Sequence, residues 1–404
     1  MEQLLVERKE YVGKLRIMLG KGIIVSLTGQ RGVGKSSIVR MLMDGLRSGS
    51  DIHLININKE STDFYGIVTY KEMVAYVDEH LSSEKRNYVI VDEAQEIEEF
   101  EKGISELQSR GVCDIIVIGS NAGVLDGEFG TLPEGHLFNC QVQGLSYLEF
   151  VLFHKLHNND TALELYLQHG GLPQLPRFGI DNQDVVDDYL MSMLNTILLK
   201  DILERGNIRN IPLLRMLIKY LGENLGKRLS ARSIASALKN RGMDASPNII
   251  LGYLDYLCKS FLISRVARYN IPAKKVLEYD EKFYFEDIGL RNVAVSSTHL
   301  KITDKTMENA VYKHLCRQGF KVYTGQLNKG EVDFVAERGN ERIYVQVTQL
   351  LASEEDINRE FGSLKSIRDN HPKYVVSMDH ASGLTNIDGI RHYHLRDFLC
   401  IEQL

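Results

Sequence analysis

Three short apolar runs, each ending in polar residues, mark the first third of the chain. They are GIIVSLTG (22–29), YVIVDEAQ (88–95) and CDIIVIGSNAG (113–123). Each run is too short for a typical helix, and stretches with apolar residues at helical spacing separate them. Continuously apolar strands are typical of a parallel sheet whose two faces are covered by helices. The pattern therefore predicts an α/β domain with polar residues gathered at the carboxyl edge of its sheet.

The first run leads into GQRGVGKSS (29–37), a glycine-rich segment that precedes an amphipathic helical pattern. The spacing matches GxxxxGK[ST], a phosphate-binding loop. Its glycines let backbone N–H groups surround phosphate oxygens, and the helix N-terminus adds partial positive charge. Lys35 is expected to contact the β- and γ-phosphates, and Ser36 to ligate Mg²⁺. The predicted nucleotide-binding residues are Gly29, Gln30, Arg31, Gly32, Val33, Gly34, Lys35, Ser36 and Ser37.

The polar residues that end the second and third runs complete a hydrolytic site. Asp92 is predicted to hold Mg²⁺ through water, together with Ser36, and Glu93 to polarise the attacking water. Ser120 and Asn121 are predicted to sense the γ-phosphate, the alternative being an ordinary turn after a strand. The predicted cofactors are thus ATP and Mg²⁺. The predicted catalytic residues are Lys35, Glu93, Ser120 and Asn121.

The order of these motifs resembles that of the archaeal-type P-loop ATPases, a group related to AAA proteins. The likeness extends to LSYLEFVLF (145–153) and YLQHGGLPQ (166–174). Where this family usually has an arginine shortly before the first of these segments, the chain reads EGHLFNCQVQG (134–144). The resemblance implies a small helical lid whose closing turn positions a helix; its residues are Gly170, Gly171 and Pro173.

Members of that family often carry a winged-helix domain and then a domain resembling PD-(D/E)XK nucleases. The resemblance implies an α/β protein with a parallel-sheet, AAA-like P-loop NTPase core at 1–155 and a helical lid at 156–206. A winged helix at 207–285 and a C-terminal α/β restriction-endonuclease-like domain at 286–404 complete the predicted architecture.

The middle of the chain has three helical patterns with polar breaks, at 211–226, 230–242 and 246–266, the last of which runs into a strand. Ser230 is a typical helix cap, and the proline after Ser246 suits a first helical turn. The spacing is that of a helix-turn-helix followed by a wing. It agrees with the winged helix that the resemblance implies.

Charge adds a candidate partner for this middle segment. Between Lys200 and Lys275 the chain has 15 Lys and Arg against 5 Asp and Glu, whereas the whole chain carries −6. Such an excess predicts binding of double-stranded DNA, with protein binding or a solvated helical face as alternatives. The predicted DNA-binding residues are Lys239, Arg241, Asn248, Arg265 and Arg268.

Two arginines near the end of a long helical pattern are candidate arginine fingers. Arg205 and Arg209 follow an apolar face toward the helix end. An arginine at a subunit boundary can neutralise charge on the γ-phosphate of a neighbouring copy, which would require a homo-oligomer. Favourable interaction of a cation with the helix macrodipole is the alternative explanation.

The C-terminal segment reads as a helix and three strands: KTMENAVYKHLCRQGFKVYTG (305–325), GEVDFVAER (330–338) and RIYVQVTQLL (342–351). This order, with Glu308 in the helix and Asp333 in a strand, is that of the nuclease core. An active enzyme would have a second acid in place of Gln346 and a lysine in place of Thr348. The sequence offers no visible substitute for that charge, so we predict a degenerate, inactive site. The residues that leave room for a rearranged site are Glu331, Arg359 and Glu360.

Composition places the chain among ordinary globular proteins, with 44% apolar and 25% charged residues. The N-terminus is charged from its second residue, unlike a secretory signal, and no run reaches the length of a membrane helix. Five scattered cysteines suit reduced core positions. A cytoplasmic protein without a membrane partner is therefore predicted.

The leading functional hypothesis is Mg²⁺-dependent ATP hydrolysis that drives a conformational switch in a DNA-associated assembly. A rival is a nucleotide-gated signalling or scaffold switch that binds protein partners and hydrolyses ATP slowly. An ATP-coupled DNA nuclease is the third, against which Thr348 argues. The predicted partners are ATP, double-stranded DNA and further copies of the chain.

Overall fold

A five-stranded parallel sheet forms the centre of the first part of the chain. The computed structural model describes residues 8–48, 51–122, 135–204, 206, 208–295, 303–380 and 385–404. These divide into two compact units, residues up to 143 with 259–261, and residues 144–258 with 262–404. The strands of the first unit are β1 (Ile24–Thr28), β2 (Ile52–Asn58), β3 (Arg86–Asp92), β4 (Asp114–Gly119) and β5 (Leu137–Gln141).

The strand order in this sheet is β2-β3-β4-β1-β5. The three predicted strands are confirmed as β1, β3 and β4, and they lie side by side with Thr28 paired to Gly119 and Asp92 to Ile118. Their carboxyl ends therefore meet at one edge, as parallel pairing requires. The helices of this unit are α1 (Lys9–Met18), α2 (Lys35–Arg47), α3 (Tyr70–His80) and α4 (Phe100–Arg110).

Apolar side chains from β1, β2, β3 and β4 form the core of the first unit together with α3 and α4. Val89 and Val91 of β3 are fully buried, as are Ile104 and Leu107 of α4. A sheet buried in this way tolerates apolar residues at successive positions, because both faces pack against other parts of the protein. This explains why the sequence shows continuous apolar runs here instead of alternation.

The second unit begins with helices and continues into a larger sheet. Its first helices are α5 (Tyr147–Phe153), α6 (Asp160–His169), α7 (Gln183–Thr196), α8 (Ile211–Glu223), α9 (Ala231–Lys239) and α10 (Pro247–Lys259). A π-helical stretch, Ile197–Leu203, directly follows α7. Ser230 caps α9 through a hydrogen bond from the Ser233 backbone, and Pro247 is the first residue of α10, as the sequence predicts.

The remaining elements build the eight-stranded sheet and its covering helices. The strands are β6 (Ile263–Asn270), β7 (Lys275–Phe285), β8 (Lys321–Gln326), β9 (Glu331–Arg338), β10 (Glu341–Val347), β11 (Lys373–Ser377), β12 (Asn386–Ile387) and β13 (Ile390–His394). The helices are α11 (Ile288–Val295), α12 (Asp304–Arg317), α13 (Glu354–Lys365) and α14 (Leu395–Leu399). Among the described residues, none of the helices has the length and apolarity that a membrane crossing requires.

The predicted wing is the antiparallel hairpin of β6 and β7, and it belongs to the same sheet as the predicted nuclease strands. The order is β12-β13-β11-β10-β9-β8-β6-β7, with β6 pairing in parallel with β8 between Arg268 and Thr324. Pairing gives the backbone groups of β8 partners on both sides, which an edge strand lacks. The sheet is therefore continuous across the predicted boundary between residues 285 and 286.

The two-glycine turn after α6 is held by one buried carboxylate. Asp287 accepts hydrogen bonds from the backbone N–H of Gly171 at 2.7 Å and of Leu290 at 3.1 Å. A Cβ added at Gly170, where φ is +77°, would lie 2.3 Å from the Asp287 carboxylate. The turn thus docks against the start of α11, in line with the predicted role of positioning a helix.

Asp287→Ala should destabilise the fold. It removes the cap of α11 and leaves the buried N–H of Gly171 without its acceptor, which we expect to cost about 2–4 kcal/mol of unfolding free energy. Urea unfolding followed by circular dichroism measures this. Asp244→Ala, at a side chain that is 80% exposed, should change the free energy by less than about 0.5 kcal/mol; equal losses in both variants would contradict the proposed role of Asp287.

Candidate nucleotide-binding site

The glycine-rich loop between β1 and α2 has the backbone that a phosphate cradle needs. Gly29, Gly32 and Gly34 adopt positive φ angles of 142°, 85° and 91°. A Cβ at Gly29 would lie 2.1 Å from the carbonyl oxygen of Val142, so the loop passes too close to the segment after β5 for any other residue. Because α2 begins immediately after Gly34, its first N–H groups open onto this loop.

Lys35 and Ser36 lie at the start of α2, as predicted. The Lys35 ammonium is buried and donates hydrogen bonds to the carbonyl oxygens of Gly29 at 2.8 Å and Gln30 at 3.0 Å. The Ser36 hydroxyl is hydrogen-bonded to Asp92 at the end of β3. Hydroxyl and carboxylate oxygens are the ligands that Mg²⁺ prefers, so this pair fits the predicted metal role.

Gln30 gives an independent test of whether a nucleotide fits here. Its side chain is 3% exposed, and among the described residues neither polar atom of its amide has a hydrogen-bond partner. A buried amide without partners is costly and rare in a finished structure. Phosphate oxygens, or water bound with them, would supply partners, so the loop fits a nucleotide that ends in phosphates.

Glu93 is surrounded by donors and directly follows Asp92, the predicted metal ligand. It accepts hydrogen bonds from the Ser120 hydroxyl at 2.9 Å and from the Gln95 amide, and Arg31 lies 3.7 Å away. Burial alone would raise the pKa of Glu93, but the charges of Arg31 and Lys35 outweigh it and hold the pKa below its usual value. Glu93 is therefore ionised and oriented, the state that a general base requires.

Arg31, one of the predicted loop residues, and Arg8, which was not predicted, make contacts at this site that the sequence did not indicate. Arg31 also pairs with Glu60 at 2.5 Å and reaches Ser120 at 3.4 Å, so it bridges the loop and the ends of β2 and β4. Arg8 is buried and donates to the carbonyl oxygens of Val33 at 3.2 Å and Gln143 at 2.8 Å. These partners come from distant parts of the chain and leave no local spacing to detect.

Ser120 and Asn121 are both buried directly after β4, as predicted for the end of the third strand.

The predicted nuclease residues come together in the second unit. Asp333 accepts a hydrogen bond from the Val347 N–H at 2.9 Å, and its own N–H donates to Gln346 at 3.2 Å. The Gln346 amide also donates to Glu360 at 3.0 Å, and the Thr348 hydroxyl donates to the Leu350 carbonyl at 3.5 Å.

A lysine from outside the motif also lies at this site, although not at position 348. Lys282 of β7 enters the cluster of Glu308 and Asp333. Lys282 lies in β7, outside the helix and strands that form the nuclease motif, so the motif gave no reason to consider it.

The residues predicted to bind DNA are mostly paired with carboxylates of the same unit. Salt bridges join Arg241 to Glu223 at 2.7 Å and Arg265 to Asp255 at 2.8 Å, and Lys239 lies 3.9 Å from Asp244. The prediction that Arg268 contacts DNA does not fit the structure. Its side chain is only 5% exposed and donates a hydrogen bond to Gln326 at 2.5 Å within the sheet. Asn248 is exposed on α10. Of the arginine-finger candidates, Arg209 is exposed and Arg205 lies outside the described residues.

Comparison with known proteins agrees with this geometry. Residues 21–151 match a family model described as an AAA domain. Residues 21–151 form an AAA-type P-loop ATPase domain. Residues 160–305 match a domain of unknown function (DUF8612), a segment that crosses the predicted boundaries between lid, winged helix and nuclease-like domain.

One relative that aligns over the whole chain and one that aligns over part of it extend the likeness beyond the ATPase domain. An uncharacterised protein of Haemophilus influenzae is 27% identical over 406 residues, covering 99% of this chain and 100% of that protein. An uncharacterised protein of Methanocaldococcus jannaschii is 27% identical over 270 residues, covering 63% and 59%. The fold resembles that of a Walker-type ATPase of Pyrococcus abyssi, with a TM-score of 0.51, 18% identity, and coverage of 71% of this chain and 95% of the other.

The neighbouring carboxyl groups of Asp92 and Glu93 have pKa values shifted in opposite directions. Burial raises the pKa of Asp92 to about 6, and the charge of Glu93 adds to the rise against the Ser36 hydrogen bond. The pKa of Glu93 is lowered. Separated values of this kind assign different roles to adjacent acids. Asp92 takes up a proton when the pH falls through about 6 and then loses the charge with which it would hold Mg²⁺.

If Asp92 holds Mg²⁺ as predicted, the Mg²⁺ concentration needed for ATP hydrolysis should rise at acid pH. Above about pH 6 Asp92 is ionised and available to the metal; below it, protons compete with Mg²⁺ for the carboxylate. Titrating Mg²⁺ against ATP hydrolysis at about pH 5.5 and about pH 7.5 should give a higher half-maximal Mg²⁺ concentration at the lower pH. Identical Mg²⁺ curves at the two pH values would contradict this assignment.

Proposed function

We propose that the chain is a Mg²⁺-dependent ATPase whose hydrolysis cycle switches the conformation of a larger assembly. The observation that carries this proposal is the convergence of Lys35, the Ser36–Asp92 pair and the hydrogen-bonded Glu93 at one edge of the sheet. The loop binds phosphates, the pair holds Mg²⁺, and Glu93 takes a proton from the attacking water. Arg31 orients Glu93 through their ion pair.

Ser120 extends this machinery to the end of β4. Its hydroxyl donates to Glu93 and also lies near Arg31, so it connects the base to the loop that holds phosphate. A shift of Arg31 toward a γ-phosphate would change the hydrogen bonds of Glu93 and Ser120 together. This coupling is the local event from which a nucleotide-dependent switch would start.

Glu93→Gln should retain ATP binding and lose turnover. The amide keeps the size of the side chain and can still accept the Ser120 hydrogen bond, but it cannot take a proton, so we expect hydrolysis to fall by about 10²–10⁴-fold. Lys35→Ala should lose ATP binding as well. Phosphate release and retention of labelled ATP measure the two effects.

Glu99→Gln is the matched control for Glu93→Gln. Both glutamates have positive φ, 53° and 54°, but Glu99 has a side chain that is 57% exposed and pairs with Lys102. We expect it to hydrolyse ATP at the wild-type rate. Full activity of Glu93→Gln would rule out the catalytic role of Glu93.

Two kinds of partner for the switch, double-stranded DNA and another protein, are supported by different observations. The local excess of cations favours double-stranded DNA, as the sequence predicts. The ion pairs of Arg241 and Arg265 favour a protein partner, since paired cations are less available to phosphates. Ile249 and Leu251 of α10 are also 45% and 44% exposed, on opposite flanks of its solvent side about 200° apart, and each suits a small apolar contact with a protein better than a contact with phosphate. We therefore propose a protein-binding role for α10 and keep DNA as the second candidate.

Alanine at Lys239, Arg241 and Arg265 distinguishes the two partners. If these cations contact phosphates, the triple variant should bind duplex DNA more weakly and with a salt slope smaller by about 2–3. With a protein partner, we expect the same weak, salt-sensitive DNA affinity as in the wild type. Fluorescence anisotropy with labelled duplex over a range of salt concentrations measures the slope. A clear decrease in the salt slope would contradict the protein-binding role and support DNA as the partner.

We propose that the nuclease-like part of the second unit is catalytically inactive and serves binding or structure. Gln346 and Thr348 provide a neutral amide and a hydroxyl where metal-dependent cleavage needs an acid and a cation. The cation that is present, Lys282, is 1% exposed and fully engaged with carboxylates. A group so enclosed does not contact a phosphodiester.

A further inference from the structure

A lysine ammonium lies buried among three carboxylates in the second unit. The Nζ atom of Lys282 is 2.9 Å from Glu308 Oε1, 3.1 Å from Glu331 Oε1 and 3.5 Å from Asp333 Oδ1. Burial alone would favour the neutral amine, but the three carboxylates outweigh it and raise the pKa of Lys282 above its usual value. Lys282 is thus a permanent cation within this cluster.

Two more cations complete the charge balance around Lys282. Lys305 contacts the second oxygen of Glu308 at 2.6 Å, and Arg228 contacts the second oxygen of Glu331 at 2.5 Å. Three carboxylates therefore face three cations. Buried charges are tolerated when opposite partners lie close by, and here side chains supply them. Burial and the charge of Glu308 still raise the pKa of Asp333 to about 7.

Packing closes the cluster against larger groups. Glu308 is 1% exposed and Asp333 is 5% exposed. The Tyr284 hydroxyl donates to the same Glu308 oxygen that Lys282 contacts, and a Cβ added at Gly226 would lie 2.8 Å from that oxygen. The loop between α8 and α9 therefore covers the carboxylates directly.

We propose that Lys282 is a built-in cation that takes the place of a divalent metal ion among Glu308, Glu331 and Asp333. Its contacts of 2.9–3.5 Å suit an ammonium group, whereas oxygens bind Mg²⁺ at about 2.0–2.1 Å. Lys282 sits on β7 of the predicted wing, and its charge ties that hairpin to the strand that carries Asp333. The inference goes beyond the proposed ATPase function and involves none of its residues.

Lys282→Met tests the proposal by removing the charge and keeping the length of the side chain. In the absence of nucleotide we expect its Tm to fall by roughly 10 °C, because buried carboxylates lose their shared partner. MnCl₂ on the order of 1 mM should then raise the Tm by about 5 °C, as the metal binds the carboxylates that have lost their cation. Differential scanning fluorimetry measures both shifts.

Lys305→Met is the matched control, since it removes the other partner of Glu308 from a side chain that is 40% exposed. It and the wild type should gain less than about 1 °C from MnCl₂. Adding Asp333→Asn to Lys282→Met should abolish the gain. A folded Lys282→Met protein whose Tm does not respond to MnCl₂ would overturn the proposal.

A measurement on the wild type decides the matter if Lys282→Met does not fold. Electron paramagnetic resonance counts Mn²⁺ ions bound to the wild type and to Asp333→Asn, again without nucleotide. Equal binding by the two proteins supports an internal cation in this cluster. A Mn²⁺ site that the wild type has and Asp333→Asn lacks would show that Lys282 leaves room for metal, and the proposal would be wrong.

Discussion

Parallel pairing of β1, β3 and β4 is the constraint from which the nucleotide site follows. Thr28 is paired with Gly119 and Asp92 with Ile118, so the residues after these strands emerge at one edge. In an antiparallel arrangement the same apolar strands would deliver Asp92 and Ser120 to opposite ends of the sheet. The covering helices make the parallel arrangement possible, because they bury both faces of strands that are apolar throughout.

Both units bury charged side chains, and both balance them locally. In the ATPase domain Arg31 and Lys35 keep Glu93 ionised, and in the second unit Lys282 meets three carboxylates. The two clusters differ in what they leave unsatisfied. Gln30 in the loop lacks hydrogen-bond partners among the described residues, whereas the oxygens of Glu308 are occupied by Lys282, Tyr284 and Lys305. At Gln30, beside the glycine-rich loop, the missing partners are ones that a bound phosphate could supply, whereas Glu308 already has its partners.

The sequence allowed the prediction of features that depend on local spacing. The phosphate loop, the strand ends at Asp92 and Ser120, the starts of α9 and α10, and the helix-strand order around Asp333 all follow from residues close together in the chain. Strands β2 and β5 were missed, since their polar positions (HLININ and LFNCQ) do not form continuous apolar runs. The continuous sheet from β7 to β12 was missed as well, because pairing of β6 with β8 depends on contacts that no sequence pattern specifies.

Lys282 shows why the sequence motif did not reveal all the charges at the nuclease-like site. A motif records which positions of one strand and one helix carry charge, so the loss of an acid and a lysine at Gln346 and Thr348 read as an uncompensated loss. Electrostatics depends on distance and burial and not on chain order. A lysine from β7 lies close enough to Glu308 and Asp333 to balance them, and Gln346 spans Asp333 and Glu360 by hydrogen bonds. Because burying these carboxylates without a partner would be strongly destabilising, a nearby cation stabilises the cluster. The fold supplies it from the neighbouring hairpin, which makes the cluster a structural junction within the sheet.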